Sequence, residues 1–236
     1  QYCDLMSGNA LLFGSRGALG SAIEKVMTQK SFRVLTAGSG PDDAINNHLQ
    51  VAYQRPQEAS DFSPLPSLDV VIWAHGLNCS DVIADFDLED LERLWQSNVV
   101  FIASSLSALL KAGKLLAGSR LVVVSSIWQQ ESRPGKMSYT ISKAALHGLV
   151  KSCALDLGER GILINAVLPG VVDTPMTRAN MSSEQIQGVI DQSALRRLAE
   201  PSDIASAVAF LADSSNRAIT GQFLTVDAGF IGVKHS

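Results

Sequence analysis

The sequence predicts one doubly wound α/β domain, in which a parallel sheet of about seven strands is flanked by helices. Short apolar runs alternate with longer segments of helical period, which is the pattern of βαβ units around a sheet buried on both faces. The first apolar run leads into a glycine-rich turn and then a helix, as such sheets commonly begin. Hydrophobic residues make up 46% of the 236 residues and charged residues 18%, enough for a single core without the signature of disorder.

Each predicted strand is an apolar run of four to seven residues, the usual length of a buried strand. In chain order the runs are Ala10–Phe13, Arg33–Ala37, Leu49–Tyr53, Asp69–Ala74, Arg120–Ser125, Ile162–Leu168 and Gln222–Val226. Between the second and fourth runs, Gly38-Ser39-Gly40-Pro41 and later prolines interrupt any helical period. Short or irregular connections are therefore expected there.

Helices are predicted where the apolar residues follow a helical period. The segments are Leu19–Gln29, Leu88–Lys111, Tyr139–Glu159, Ser183–Asp191 and Ser202–Asp213. The last begins after Pro201 and has an acidic first turn, both favourable at a helix start. We expect residues 9–236 to form one domain and residues 1–8 to be an N-terminal extension or tag remnant.

Composition excludes several classes of function. A net charge of −4 and a pI near 5.5 give no basic surface for nucleic acid. The cysteines Cys3, Cys79 and Cys153 are far apart and lack metal-ligand spacing, so free thiols, no metal and a reducing cytoplasmic location are expected. The longest apolar stretch, Val99–Leu110, contains three serines and is too short to span a membrane.

The glycine-rich turn after the first strand is a candidate pyrophosphate site. It reads Gly14-Ser15-Arg16-Gly17-Ala18-Leu19-Gly20 and opens the first helix. Glycines let the backbone turn tightly and approach phosphates, while free N–H groups at the helix start supply donors and partial positive charge. The alternative is a plain strand-to-helix turn, but the position after the first strand favours nucleotide binding. The predicted contacts are Gly14, Ser15, Arg16, Gly17, Leu19 and Gly20.

The residues after the second strand favour NADP over NAD. An acidic residue about 20 positions after the glycine run usually binds the ribose hydroxyls of NAD, whereas this chain has Ser39 there. Ser39 can donate to a 2′-phosphate, and Arg16 can pair with its charge. Asp42 and Asp43 follow closely and could still reach the ribose, so NAD stays open as the alternative.

Tyr139 and Lys143 form a candidate catalytic pair. They are four residues apart on a predicted helix, so both side chains lie on one face. An ammonium group beside a tyrosine stabilises its phenolate and should lower its pKa from about 10, which suits proton exchange with a carbonyl oxygen. The spacing alone is weak evidence, but a strand ending in Ser125-Ser126 precedes it, and open α/β sheets bind ligands at the carboxyl ends of strands.

These residues resemble those of the short-chain dehydrogenase/reductase family from about Asn9 to Phe230. Ser126 lies thirteen residues before Tyr139, where the family has its catalytic serine. The resemblance implies that Ser126 polarises the substrate carbonyl, that Lys143 binds the ribose, and that Asn98 supports a proton path to the lysine. It also implies cofactor contacts from Tyr139, Lys143, Ala74, Gly76, Pro169, Gly170, Val172 and Thr174.

The chain also departs from the family pattern near the nucleotide. Phe13 replaces a threonine before the first glycine, Ala18 replaces the middle glycine, and Gly17 comes one place early. Trp73-Ala74-His75-Gly76 replaces the usual Asn-Asn-Ala-Gly, and the acid that bonds adenine after the third strand is absent, with Ala52 or Tyr53 in its place. These changes predict a differently shaped nucleotide site.

The resemblance therefore predicts an NADP(H)-dependent reductase of a ketone or aldehyde, with 3-oxoacyl thioesters as one substrate class and sugar or polyol phosphates as another. Substrate contacts are expected from Trp128, Gln129, Gln130, Met137 and Met176. The family's subunit-pairing helices correspond to Leu88–Lys111 and Tyr139–Glu159, which predicts a homodimer or homotetramer. A non-enzymatic dinucleotide sensor and a purely structural subunit are the rival hypotheses.

Overall fold

A computed structural model describes residues 8–40 and 47–233 and contains one parallel sheet in the order β3-β2-β1-β4-β5-β6-β7. The strands are β1 Gly8–Phe13, β2 Phe32–Gly38, β3 His48–Gln50, β4 Leu68–Trp73, β5 Leu115–Val124, β6 Leu163–Pro169 and β7 Phe223–Val226. The predicted α/β class is confirmed, and each of the seven strands overlaps a predicted apolar run, although β5 begins five residues earlier than predicted. The proposed N-terminal extension, except Gly8, lies outside the described residues.

Helices connect the strands on both faces of the sheet. They are α1 Ala18–Gln29, α2 Leu88–Trp95, α3 Phe101–Lys111, α4 Met137–Gly158, α5 Pro175–Asn180, α6 Ser183–Gln192 and α7 Pro201–Ala212. The predicted Leu88–Lys111 helix is interrupted by a π-turn at Gln96–Val100. The sequence does not predict α5, which has only six residues and begins at a proline. Among the described helices, none is long and apolar enough to cross a membrane.

The apolar runs are continuous because each strand contributes to two cores. In β1, Leu11 and Phe13 point into one core, with residues of α3 and α4, whereas Ala10 and Leu12 point into the other, with residues of α1 and α7. These four side chains of β1 are fully buried. Successive side chains of a strand point to opposite faces of the sheet. Because both faces are buried here, every position of the run is apolar.

The site is positioned by a switch in strand order at β1. The chain runs outward through β2 and β3 and then returns to the opposite side of β1 as β4. The Phe13–Trp73 pair ends the β1–β4 ladder, and Ala74 N–H donates to the Phe13 carbonyl at 3.0 Å. A crevice at such a switch point, outside the carboxyl ends of the strands, is where open α/β sheets bind ligands.

The third strand is shorter than the sequence predicts. The strand ends at Gln50, although Val51 N–H still donates to the Gly38 carbonyl at 2.8 Å. Tyr53, the last residue of the predicted run, turns inward instead of continuing the edge, and its hydroxyl donates to the Ala37 carbonyl at 3.2 Å. Burial of the Tyr53 ring under the sheet edge therefore ends the strand early.

Candidate active site

The glycine-rich turn lies at the carboxyl end of β1, against the end of β4. Gly14 has φ +83°, a left-handed conformation that favours glycine, and a Cβ there would lie 2.7 Å from the His75 backbone nitrogen. A Cβ on Gly20 would overlap the Gly14 carbonyl. Both glycines are therefore needed for α1 to begin so close to the sheet.

The altered glycine spacing still forms a strand-to-helix turn. Gly17 N–H donates to the Gly14 carbonyl at 3.2 Å, and the Gly17 carbonyl accepts from Ser21 N–H at 2.8 Å. Ser15 and Leu19 on either side are partly buried. Among the residues that the structure describes, no side chain caps the start of α1, which leaves its first N–H groups and its positive end for an anion such as a pyrophosphate.

Arg16 and Ser39 lie together at the end of β2. The Arg16 guanidinium lies so close over Gly40 that a Cβ on Gly40 would overlap it. Ser39 is exposed beside this contact. The structure thus brings the two residues predicted to read a 2′-phosphate to one place, whereas Asp42 and Asp43, the alternative ribose contacts, lie outside the described residues.

Tyr53 does not replace the missing adenine-binding acid. Its ring stacks on His75 with centroids 4.5 Å apart and an interplanar angle of 11°. Burial raises the pKa of Tyr53 to about 12, against the opposing effects of the Gly14 N–H and the Arg16 charge. The phenol is therefore neutral and belongs to the support of the glycine turn.

Aromatic packing occupies the place of the family's threonine and asparagine. Phe13 stacks on Trp73 with centroids 5.9 Å apart, and Phe101 packs edge-on against Phe13 at 5.3 Å. The Trp73 indole N–H donates to Ser105 Oγ at 2.9 Å, so no buried donor of Trp73 is left unpaired. The end of the sheet is thus held by an apolar cluster where the family has a threonine and an asparagine.

Ser126, Tyr139 and Lys143 come together between β5 and α4. Ser126 follows β5, and its Oγ accepts from Trp128 N–H at 3.3 Å. The Ser126 hydroxyl is near enough to the Tyr139 hydroxyl to favour its phenolate, and Lys143 Nζ lies 5.7 Å from the Tyr139 ring centroid. The predicted grouping of serine, tyrosine and lysine is therefore present in the structure.

Burial dominates the electrostatics of this group. It raises the pKa of Tyr139 to about 12, and the nearby Ser126 hydroxyl only partly opposes this rise. Burial also lowers the pKa of Lys143 to about 8, and its Nζ donates to the Val124 carbonyl at 3.4 Å. The expected lowering of the tyrosine pKa is therefore wrong for the protein alone, because loss of water outweighs an ammonium that points to a backbone carbonyl.

Asn98 lies in the π-turn and fixes the chain beside Lys143. Its Oδ1 accepts from Leu77 N–H at 2.8 Å, and its Nδ2 donates to the Leu77 carbonyl and to Ser142 Oγ, both at 3.0 Å. A Cβ on Gly76 would lie 3.4 Å from Lys143 Nζ and 3.5 Å from Asn98 Oδ1. Gly76, a predicted cofactor contact after β4, thus borders the predicted catalytic residues, and Ala74 lies two positions before it, directly after the end of β4.

The residues after β6 form the opposite side of the crevice. Pro169 ends β6, and Gly170 N–H donates to the Val226 carbonyl at 3.0 Å. Val172 pairs with Ala199 in a short parallel bridge. Thr174 caps α5, since its Oγ1 accepts from Thr177 N–H at 3.1 Å. These predicted nicotinamide contacts lie together at one strand end.

The predicted substrate residues have different environments. Gln129 is buried and its Oε1 accepts from Ser125 Oγ at 2.8 Å, while Met176 on α5 is 67% exposed. Trp128 is partly buried, and the guanidinium of Arg133 lies over its ring, 5.5 Å from the centroid. Met137 begins α4 and is partly buried. Sequence reasoning missed Arg133, which has no motif around it.

A second missed feature holds the start of α4. Asp81 accepts hydrogen bonds from the N–H and Oγ of Ser138, and Lys136 Nζ donates to the Cys79 carbonyl at 2.8 Å. The same ammonium donates to Asn78 Oδ1 at 3.0 Å and Ser80 Oγ at 3.1 Å. We call residues 78–81 with residues 136–138 the loop clamp. Its partners are 56 to 58 positions apart, so no local pattern reveals it.

This doubly wound sheet, with its glycine turn after β1 and its serine, tyrosine and lysine near β5 and α4, defines a dinucleotide-binding oxidoreductase. A family model described as enoyl-(acyl carrier protein) reductase matches residues 60–231. The chain belongs to the short-chain dehydrogenase/reductase family, whose members use NAD(P).

Individual relatives agree with this family. A 3-oxoacyl-[acyl-carrier-protein] reductase of Rickettsia felis is 29% identical over 242 residues, covering 98% of this chain and 99% of the relative. A short-chain dehydrogenase family protein of Francisella tularensis superposes with a TM-score of 0.84 at 25% identity, covering 94% of this chain and 98% of the other. An aldohexose dehydrogenase of Thermoplasma acidophilum has the same TM-score at 23% identity over the whole of both chains, a likeness of fold alone.

Proposed function

We propose that this protein is an NADP(H)-dependent carbonyl reductase that interconverts a ketone or aldehyde with an alcohol. The observation that carries the proposal is the grouping of Ser126 and Tyr139, in which the serine hydroxyl is near enough to act on the tyrosine pKa, with the buried Lys143 amine beside the tyrosine ring. These groups follow β5 at the carboxyl edge of the sheet, beside the glycine turn. Two hydroxyls at this edge suit a single carbonyl oxygen.

Tyr139 acts as the acid in the reducing direction. A bound nicotinamide dinucleotide would supply the hydride to the carbonyl carbon. Ser126 Oγ and the Tyr139 hydroxyl donate to the carbonyl oxygen, and the Tyr139 proton passes to that oxygen as negative charge develops there. Because burial keeps the pKa of Tyr139 near 12, the phenol is protonated at neutral pH, and Lys143 stabilises the phenolate that the transfer leaves.

Arg16 and Ser39 support NADP as the preferred dinucleotide. The guanidinium lies over Gly40, next to the exposed Ser39, at the end of β2, where a 2′-phosphate of the adenosine ribose would accept from both side chains. A carboxylate at position 39 would repel that phosphate. The uncapped start of α1 would bind the pyrophosphate, and Lys143 would bind the ribose of the nicotinamide half.

A 3-oxoacyl thioester is the substrate class that we favour. The Rickettsia felis relative is named for reduction of such a thioester and matches this chain over 98% of its length. We further propose that Trp128, Gln129, Met137 and Met176 contact the substrate, since they belong to the segments that follow Ser126, precede Tyr139 and form α5.

Fluorescence titration with NADPH and NADH, followed by turnover of acetoacetyl-CoA, tests this function. Tyr139→Phe should bind NADPH as the unmodified protein does and lose about 10²- to 10⁴-fold in turnover, because only the proton donor is removed. Arg16→Ala and Ser39→Asp should each weaken NADPH more than NADH. Strong residual turnover in Tyr139→Phe would contradict the role of Tyr139, and tighter binding of NADH would overturn the dinucleotide assignment. Binding of neither would favour the hypothesis of a purely structural subunit.

A further inference from the structure

His75 lies just beyond β4, where the family has alanine, and is 8% exposed. Its ring is stacked on Tyr53 and is packed edge-on by Phe101 at 4.8 Å and by Phe13 at 6.4 Å. Its backbone nitrogen would contact a Cβ on Gly14 at 2.7 Å. The imidazole is thus confined between the glycine turn and α3.

The imidazole binds a backbone carbonyl that the π-turn releases. Phe101 N–H donates to the Gln96 carbonyl, whereas in a regular α-helix it would donate to the carbonyl of Ser97. The Ser97 carbonyl oxygen lies 3.0 Å from His75 Nε2 instead. A carbonyl only accepts, so Nε2 carries the hydrogen and the other ring nitrogen, Nδ1, does not.

The ring remains neutral and unpaired on its other side. Burial lowers the pKa of His75 to about 3, and the charge of Lys143 lowers it further, against the opposing hydrogen bond to Ser97. Within residues 8–40 and 47–233, Nδ1 is buried without a hydrogen-bond partner. An unpaired polar atom costs stability, so an apolar side chain would fill this pocket at least as well if packing were its only purpose.

The bond to Ser97 fixes the residue that follows it. Asn98 directs its amide to both backbone groups of Leu77, and Gly76 beside Leu77 borders Lys143 Nζ. If the π-turn relaxed to a regular helix, every later side chain of the turn would rotate about the helix axis. Asn98 would then lose its position relative to Leu77.

We propose that His75 is a positioning residue: its Nε2–H holds the π-turn open and thereby holds Asn98 against Leu77, beside Lys143. The role in turnover rests on the proposed reductase function. His75 touches no reacting atom in this scheme; it acts through the Ser97 carbonyl and Asn98. Since His75 also lies against Gly14, this one residue connects the glycine turn with the π-turn that carries Asn98.

Two substitutions at position 75 separate hydrogen bonding from packing. His75→Phe keeps an aromatic ring but removes the donor, whereas the amide nitrogen of His75→Gln can take the place of Nε2. We expect His75→Phe to lower kcat about 10- to 100-fold, because small displacements far from the reacting atoms cost this much. The KM for the dinucleotide should stay near its original value. His75→Gln should restore most of kcat.

Hydrogen exchange tests the same contact without turnover. The Leu77 amide donates to Asn98 Oδ1, so the peptide that contains Leu77 should exchange faster in His75→Phe and at the original rate in His75→Gln. Phe62→Leu is the matched packing control, since Phe62 packs on Phe13 in the same core, 6.1 Å away. Phe62→Leu should lower thermal stability and leave both kcat and Leu77 exchange unchanged.

The inference is overturned if His75→Phe leaves Leu77 exchange and kcat unchanged, or if His75→Gln is impaired as strongly as His75→Phe. Absence of carbonyl turnover in the unmodified protein, despite intact Leu77 protection that depends on His75, would refute the reductase function and with it the catalytic part of the inference. Because exchange is measured without substrate, that outcome is distinguishable from a failure of His75 to hold Asn98.

Discussion

The buried ammonium group of Lys143 lowers the stability of the folded protein. Its side chain is 3% exposed, and burial lowers the pKa from 10.5 to about 8. Below pH 8 the amine is charged in both the folded and unfolded states, and burial costs the folded state about 3 kcal/mol for a shift of this size. As the pH rises from 8 towards 10.5, the folded protein releases the proton first, so stability recovers.

Lys143→Met should therefore give a more stable and inactive protein. The apolar chain of methionine fills the same space without the cost of desolvation, so the free energy of unfolding at pH 7 should rise by up to about 3 kcal/mol. The gain should shrink as the pH approaches 10. Urea unfolding of both proteins between pH 6 and 10 measures the difference.

Lys151→Met provides the control for this prediction. Lys151 lies on the same helix, and its ammonium is exposed over the Phe223 ring at 5.4 Å. Removal of this exposed charge should leave the free energy of unfolding nearly unchanged at every pH. An equal gain in both variants would show that helix composition, and not burial of Lys143, is responsible.

At the scale of the element, α4 begins without a cap of its own. Lys136 is the residue before the helix and offers no side-chain hydrogen bond to it. Asp81, on the loop after β4, accepts from Ser138 N–H in the first turn at 3.1 Å. A carboxylate at a helix start satisfies a free N–H group and interacts favourably with the helix dipole. Tyr139, the next residue, is placed by this contact.

We expect Asp81→Ala to lower both stability and turnover. Loss of a helix cap costs about 0.5 to 2 kcal/mol, and Tyr139 should lose its alignment with Ser126, so kcat should fall more than dinucleotide binding. Asp81→Asn keeps an acceptor and should be milder. Urea unfolding and steady-state kinetics measure the two effects.

Asp87→Ala is the control for Asp81→Ala, because it removes a helix cap away from the predicted catalytic residues. Asp87 caps α2, where its carboxylate accepts from Glu89 N–H at 2.8 Å. The loss of stability should be similar, while kcat should be retained because α2 carries none of the predicted catalytic side chains. If Asp81→Ala kept its kcat while losing stability, the loop clamp would be structural only.

At the scale of the whole molecule, we expect the chain to self-associate through α4. Leu155 on this helix is 82% exposed, and the family resemblance predicts subunit pairing there. Leu155→Glu should shift sedimentation towards the monomer, because a buried, unpaired carboxylate opposes association. Leu116→Glu, at the start of β5 and 55% exposed, should not. A monomeric unmodified protein would contradict the prediction.

The sequence predicts those parts of the molecule that local patterns determine. Apolar runs such as Asp69–Ala74 locate the strands because a sheet covered on both faces needs apolar residues at successive positions. The spacing of Ser126, Tyr139 and Lys143 predicts their grouping. The bond between His75 and Ser97 and the loop clamp remain hidden, since they join residues 22 to 58 positions apart. The early end of β3 is hidden for the same reason, since the hydroxyl of Tyr53 bonds to the carbonyl of Ala37, 16 positions away.

The stacked Phe13 and Trp73 constrain how this sequence can change. The family's usual threonine and asparagine at these positions would each leave a void if introduced alone, because both aromatic side chains are fully buried. Each polar side chain would also enter an apolar cluster, where an unpaired polar group costs stability. A consensus design that averages over relatives would therefore choose two residues that are individually harmful here. Each of these exchanges made alone should therefore lower the free energy of unfolding.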